Sequence, residues 1–220
     1  VSNYEASQSV HPWSKYPWRR SYVVWTIAGL SIFCFFAAKN NQAMADFLQM
    51  SCGAKFHLWQ PLTACFTEIN GISLLGFLTL QIFFGVPIEH EWSHRDLALT
   101  YLIAGFSSSL MLYIIAAPGT IYSGAAGAVS GLLAATWQHL RHEQVNLFMF
   151  IKLQMRTVVV IILAAMLVMY LLQGAIIMLI VPLSGFAFGL LYCRLEKKLQ
   201  QREAKIYVDK KERISKIEID

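Results

Sequence analysis

Long stretches of the chain carry no charge at all, and nothing else in the sequence limits the fold so strongly. Six blocks contain no Asp, Glu, Lys or Arg: 21–38, 71–88, 97–117, 124–137, 157–172 and 175–192. A helix of about 20 mainly apolar residues crosses the hydrocarbon core of a bilayer. Charged residues make up 14% of the 220, where a soluble domain carries roughly a quarter. The blocks therefore predict an all-α polytopic membrane protein, a bundle of six transmembrane helices. The fourth, GAAGAVSGLLAATW, is short and built from small side chains. A helix that short needs protein around it, because lipid cannot satisfy the backbone groups at its ends.

The basic residues predict an orientation. With the N-terminus inside, the cytoplasmic segments hold Lys15, Arg19, Arg20, Arg95, Arg141, Lys152, Arg156 and nine Lys/Arg of the tail, leaving Lys39 and Lys55 outside. That asymmetry places both termini in the cytoplasm and makes a plasma (inner) membrane the expected location. The organisation read from it is a cytoplasmic segment 1–20, a membrane domain 21–192 and a charged tail 193–220. Ala37 and Ala38 follow the first span as in a signal peptide, yet the polar lead and aromatic core fit an uncleaved anchor better. The aromatics and arginines of 1–20 are expected at the membrane surface. Loop 39–70 holds Phe47, Leu48, Met50, Phe56, Leu58 and Trp59, too apolar for a free linker, and predicts short interfacial helices. The tail predicts a solvated helix extending the last span. Six acidic residues interrupt its nine basic ones, which argues against nucleic acid and leaves the lipid bilayer as its neighbour. Cys52 and Cys65 share the outer loop, where an oxidising compartment would let them pair; Cys34 and Cys193 read as packing residues.

Residues 90–94 read HEWSH. On a helix, His90 and His94 would stand one turn apart and grip Zn²⁺ with Glu91 as general base, and His139 or His142 would offer a third ligand if the loops met. Against this metalloprotease reading stands chance, since only about eight residues separate the flanking apolar blocks and a short motif matches often. No other cofactor is called for. A transporter or channel is the least favoured class, because the span interiors hold no ionisable group to couple to.

Ordered landmarks from Phe56 to Tyr192 resemble the rhomboid intramembrane serine proteases. Trp59-Gln60 with Thr63 and Phe66 is similar to that family's W-R-x-x-T-x-x-F outer loop, with Gln for Arg. FFGVPIE, containing Gly85 and Glu89, resembles its f-G-x-x-x-E close of the second span, and YLIAG at 101–105 the start of its third. GAAGAVSGLL matches the G-x-S-G-x-x-x-G-L turn and fourth span through Gly124, Gly127 and Gly131. GFAFG matches the G-x-x-x-G of the sixth through Gly185 and Gly189. The resemblance implies a six-helix fold and, in active members, a serine attacking a peptide bond with a histidine as base.

Carried over by motif, the nucleophile falls on Ala126, the base on Pro182 and the two oxyanion donors on Ser73 and Phe77. Ala126 has no nucleophilic atom, Pro182 no base, Phe77 no hydrogen-bond donor, and Ser73 donates only weakly. Glu68 stands where many members carry another histidine. The resemblance thus implies a catalytically silent member, which binds or holds transmembrane helices of client proteins. Three surfaces suit a client: the loop around Trp59–Glu68, the gap between the second and fifth spans, and the small-residue face from Gly124 to Gly131. The alternative is an endopeptidase using unconventional groups. Its best substitute hydroxyl is Ser130, one turn beyond Ala126, although Ser130, Thr67, Ser123 and Ser184 all read more simply as packing residues.

Overall fold

The computed structural model describes residues 21–53, 56–140, 143–147 and 151–217; the expected surface aromatics of 1–20 lie outside these, as does His142. In chain order the helices are α1 (Tyr22–Asn40), α2 (Gln42–Leu48), α3 (Gln60–Thr63), α4 (Gly71–Glu91), α5 (His94–Ile115), α6 (Ala125–His139), α7 (Met155–Leu172) and α8 (Ile180–Ile217). The apolar blocks thus appear as α1, α4, α5, α6, α7 and the first part of α8, with Ile176–Leu179 wound as a 3₁₀ turn. Five of the helices are long and apolar enough to cross a membrane. The exception is α6, whose 15 residues give about 22 Å of helix against a core of about 30 Å. Every residue from Ala125 to Thr136 is buried, so protein closes the ends that lipid would leave unsatisfied.

Around α6 the bundle is arranged unevenly. It packs most heavily on α8 and α5 and next on α4, while α1 leans on α4. By contrast α7 touches α6 over a modest area, scarcely meets α4, and is the least buried of the five long apolar helices. It ends at Gly174, whose φ of 69° lies in the left-handed region that favours glycine.

The first turn of α1 is completed by a residue far along the chain. Ser21 makes no side-chain cap. Instead the Val23 and Val24 N–H groups donate to Glu89 Oε1 and Oε2 at 2.8 and 3.0 Å, and Glu89 Oε1 also meets His94 Nδ1 at 2.7 Å. A buried carboxylate thus covers two of the donors a helix start leaves open. Gly85 permits that docking, since a Cβ there would stand 2.7 Å from Val24 Cγ2.

Loop 41–70 forms the interfacial helices α2 and α3 and a short β1 (Met50–Ser51), which pairs antiparallel with β2 (Ile121–Tyr122) ahead of α6. Gln60, fully buried, organises it: Oε1 accepts from His57 N–H at 3.1 Å and Nε2 donates to the Asp46 carbonyl at 3.0 Å. Thr63 Oγ1 donates to the Leu48 carbonyl at 2.9 Å. Trp59 lies half exposed at the rim, against Phe47 and His57. Cys52 and Cys65 are both buried free thiols, which corrects the pairing considered for them. Cys52 is held by backbone bonds to Gly119 and Thr120, and Cys65 is packed beneath Gly105 with Sγ donating to the Pro61 carbonyl. At the opposite end, the connection between α6 and α7 forms the hairpin β3 (Gln144–Leu147) and β4 (Ile151–Gln154).

Candidate functional site

The α6–α8 seam is closed backbone to backbone. A Cβ on Gly185 would stand 2.3 Å from the Gly127 carbonyl oxygen and the same distance from Ser130 Oγ; one on Gly189 would stand 2.9 Å from Gly131 Cα. On the α5 side, a Cβ on Gly131 would meet Ala104 Cβ at 2.3 Å, and one on Gly127 would overlap Ser108 Oγ outright. Such contact between small residues replaces the hydrophobic effect as the cohesive force inside a membrane. It also means that the face from Gly124 to Gly131 is filled by α5 and α8, which removes it from the surfaces open to a client. The N-terminus of α6 is pinned as well, by the Gly124 N–H donating to the Ala64 carbonyl at 2.7 Å.

Ala126 sits in the first turn of α6 at 1% exposure. Pro182 lies buried in the first turn of α8, where its missing N–H breaks no helical bond. On α4, Ser73 and Phe77 are one turn apart and half-buried, with Phe77 packed against the core. Ser130 Oγ donates to the Gly127 carbonyl at 2.7 Å, a back-bond that occupies its proton. Thr67 and Ser184 are committed in the same way, to Ala64 and Ile180. The described histidines have contacts elsewhere: His57 against Trp59, His90 to Ser21, His94 to Glu89 and His139 stacked on Trp92.

The HEWSH segment does not form one helical turn. α4 ends at Glu91, Trp92 and Ser93 are extended, and α5 begins at His94. His90 and His94 therefore belong to different helices, and His94 is turned onto Glu89, so the geometry assumed for zinc is corrected. The loops do meet, but through a Trp92–His139 stack 4.5 Å between centroids. Among the described residues no three His, Cys, Asp or Glu side chains are placed to share a metal ion.

Sequence reading noted Glu68 only as a departure from the family pattern, and the structure gives it more weight. It follows the 3₁₀ turn Ala64–Phe66 and is 6% exposed. Oε2 accepts a long bond from Ser123 Oγ at 3.4 Å, while Oε1 has no partner. Burial pushes its carboxyl up to about 8, against which the bonds from Ser123 and the Ile69 N–H act weakly. The folded chain therefore keeps a proton that an unfolded chain releases near 4.5. The stability this contributes is complete below that value and is lost as the pH rises to about 8. Glu68→Gln is expected to abolish the decline and to be more stable at pH 8 by on the order of a few kcal/mol. Unfolding midpoints of both proteins in one detergent from pH 5 to 9 check this; parallel curves would refute it.

Comparison with known proteins agrees with this architecture. A family model described as the rhomboid domain matches residues 55–198. The chain is also 31% identical over 86 residues to RHOMBOID-like protein 1 of Arabidopsis thaliana, a match covering 39% of this chain and 22% of that relative. The chain thus spans about a fifth of that protein's length. A glycine-lined α6–α8 seam, a loop organised at Trp59-Gln60 and a Glu89 clasp on α1 fall within the matched segment or reach out from it, and the chain belongs to the rhomboid family.

Proposed function

We propose that this rhomboid-family membrane protein is non-catalytic and holds the transmembrane helices of client proteins. One observation carries the reading: the serine and histidine positions that the resemblance implies are hydrocarbon, Ala126 and Pro182, each buried in the first turn of its helix. A serine hydroxyl attacks only when a base lies within hydrogen-bond reach. The remaining candidate, Ser130, gives its proton to a backbone carbonyl, and the described histidines are engaged at the ends of the bundle. The open side is the gap between α4 and α7; on α4, Phe77 is a half-buried apolar ring where the resemblance puts an oxyanion donor. The basic-residue asymmetry supports an orientation with loop 41–70 on the side away from the cytoplasm.

Two measurements test this. Purified protein in lipid should give only background labelling with a fluorophosphonate probe. Ala126→Ser alone should leave it there, because no base is restored; losing either partner of such a pair costs several powers of ten. Labelling that disappears with Ser130→Ala would establish an unconventional protease instead. The positive arm is photocrosslinking from Phe77 and Tyr170 in native membranes, which should trap single-span proteins; trapping none would count against client holding.

A further inference from the structure

Beside the start of α6, three buried polar atoms from three separate segments have no hydrogen-bond partner: Glu68 Oε1, Ser109 Oγ on α5 and the Tyr122 hydroxyl on β2. Buried polar groups are almost always satisfied, so a cluster of exceptions asks for an occupant. These three belong together. Tyr122, Ser123 and Gly124 are consecutive; Ser123 Oγ bonds Glu68, and a Cβ on Gly124 would stand 3.0 Å from Ser109 Oγ. Ser108 lies beside Tyr122 and donates its own proton to the Gly105 carbonyl at 2.8 Å, so it can only accept from the phenol, whose oxygen stays available as an acceptor.

The three unpartnered atoms are all oxygens, one of them a carboxyl oxygen. Lys39, a basic residue at this end, lies over the Phe35 ring at 5.8 Å, and among the described residues it forms no ion pair with Glu68. Oxygen acceptors around a carboxyl match an ammonium group, which carries three donors and no acceptor. We propose that Glu68, Ser109 and Tyr122 form a receptor for a basic side chain, the lysine of a client's transmembrane helix, extending the client-holding reading on which it rests. A lysine exposed to lipid is costly, and its ammonium beside Glu68 would favour release of the proton that burial holds on that carboxyl. The approach we assign is from the α7 side, because α7 scarcely meets α4.

The probe is a leucine–alanine transmembrane peptide bearing a single lysine near its outer end, compared with the same peptide bearing leucine. Both are reconstituted with full-length protein carrying a benzoylphenylalanine photocrosslinker at Phe77. The lysine peptide should give about tenfold more crosslinked product, a ratio equal to about 1.4 kcal/mol. Glu68→Gln should lower it to the level of the leucine peptide without changing the latter. Should Glu68→Gln fail to fold, Tyr122→Phe and Ser109→Ala must each remove part of the preference. Equal crosslinking of the two peptides overturns the receptor and leaves client holding intact. Crosslinking of neither overturns both. Stabilisation by millimolar Na⁺ or Ca²⁺, with no preference for the lysine peptide, assigns the cluster to an inorganic ion and likewise overturns the proposal.

Discussion

Gly185→Ala will loosen α8 from α6. The new methyl would stand 2.3 Å from the Gly127 carbonyl oxygen and from Ser130 Oγ. The carbonyl belongs to helix backbone and cannot turn aside as a flexible side chain would. Overpacking a tight interior costs about 1–3 kcal/mol when neighbours can shift, and this seam is closed from both sides, so a loss of about 3 kcal/mol is expected. Gly29→Ala is the control, because nothing lies within 4 Å of a Cβ at that position. There the better helix propensity of alanine contributes up to about 1 kcal/mol in the opposite direction. Unfolding of the two variants in the same micelle should separate their midpoints widely. Coincident midpoints would show that the seam is not tight.

Glu89→Ala is expected to free the start of α1 from the bundle. It removes both acceptors of the Val23 and Val24 N–H groups and the partner of His94. Hydrogen bonds to a charged group contribute about 1.5–3 kcal/mol each, and those two amides would be left facing apolar surroundings. A loss of about 3–5 kcal/mol follows. Glu89→Gln should fall between the two, because its amide accepts one N–H while its NH₂ meets the other. Hydrogen exchange at Val23 and Val24 reports the effect where it arises. Rapid exchange there, with the α6–α8 seam still protected, is the expected pattern; unchanged exchange would refute the clasp.

Much of the bundle was legible because hydrocarbon length and charge exclusion leave few alternatives. The short fourth block was expected to need a protein sheath, and burial of Ala125–Thr136 supplies it. Gly185 and Gly189 were readable as a close-contact seam for the same reason: no other residue gives that approach. The hairpin was missed, although Gln144-Val145-Asn146-Leu147 and Ile151-Lys152-Leu153-Gln154 alternate polar and apolar residues. Two four-residue strands give too little signal beside long apolar blocks. The HEWSH reading failed because a motif's spacing acts only on a continuous helix, and Trp92–Ser93 interrupt this one. The burial of Glu68 was hidden because its hydrogen-bond partner Ser123 comes from a distant part of the chain. A carboxyl in a connecting segment gives no sequence sign that it will be buried.

The last helix is a single rod. The 38 residues of α8 amount to about 57 Å, nearly twice the thickness of the hydrocarbon core. Because the helix runs without a break from the Gly185 and Gly189 contacts into the charged segment, there is no joint to absorb a load. A twist or sideways push delivered far down that segment is carried along the helix to its close contacts with α6, as with a lever on a short fulcrum. Whatever engages the basic residues between Lys197 and Lys216 therefore acts mechanically on the heart of the bundle.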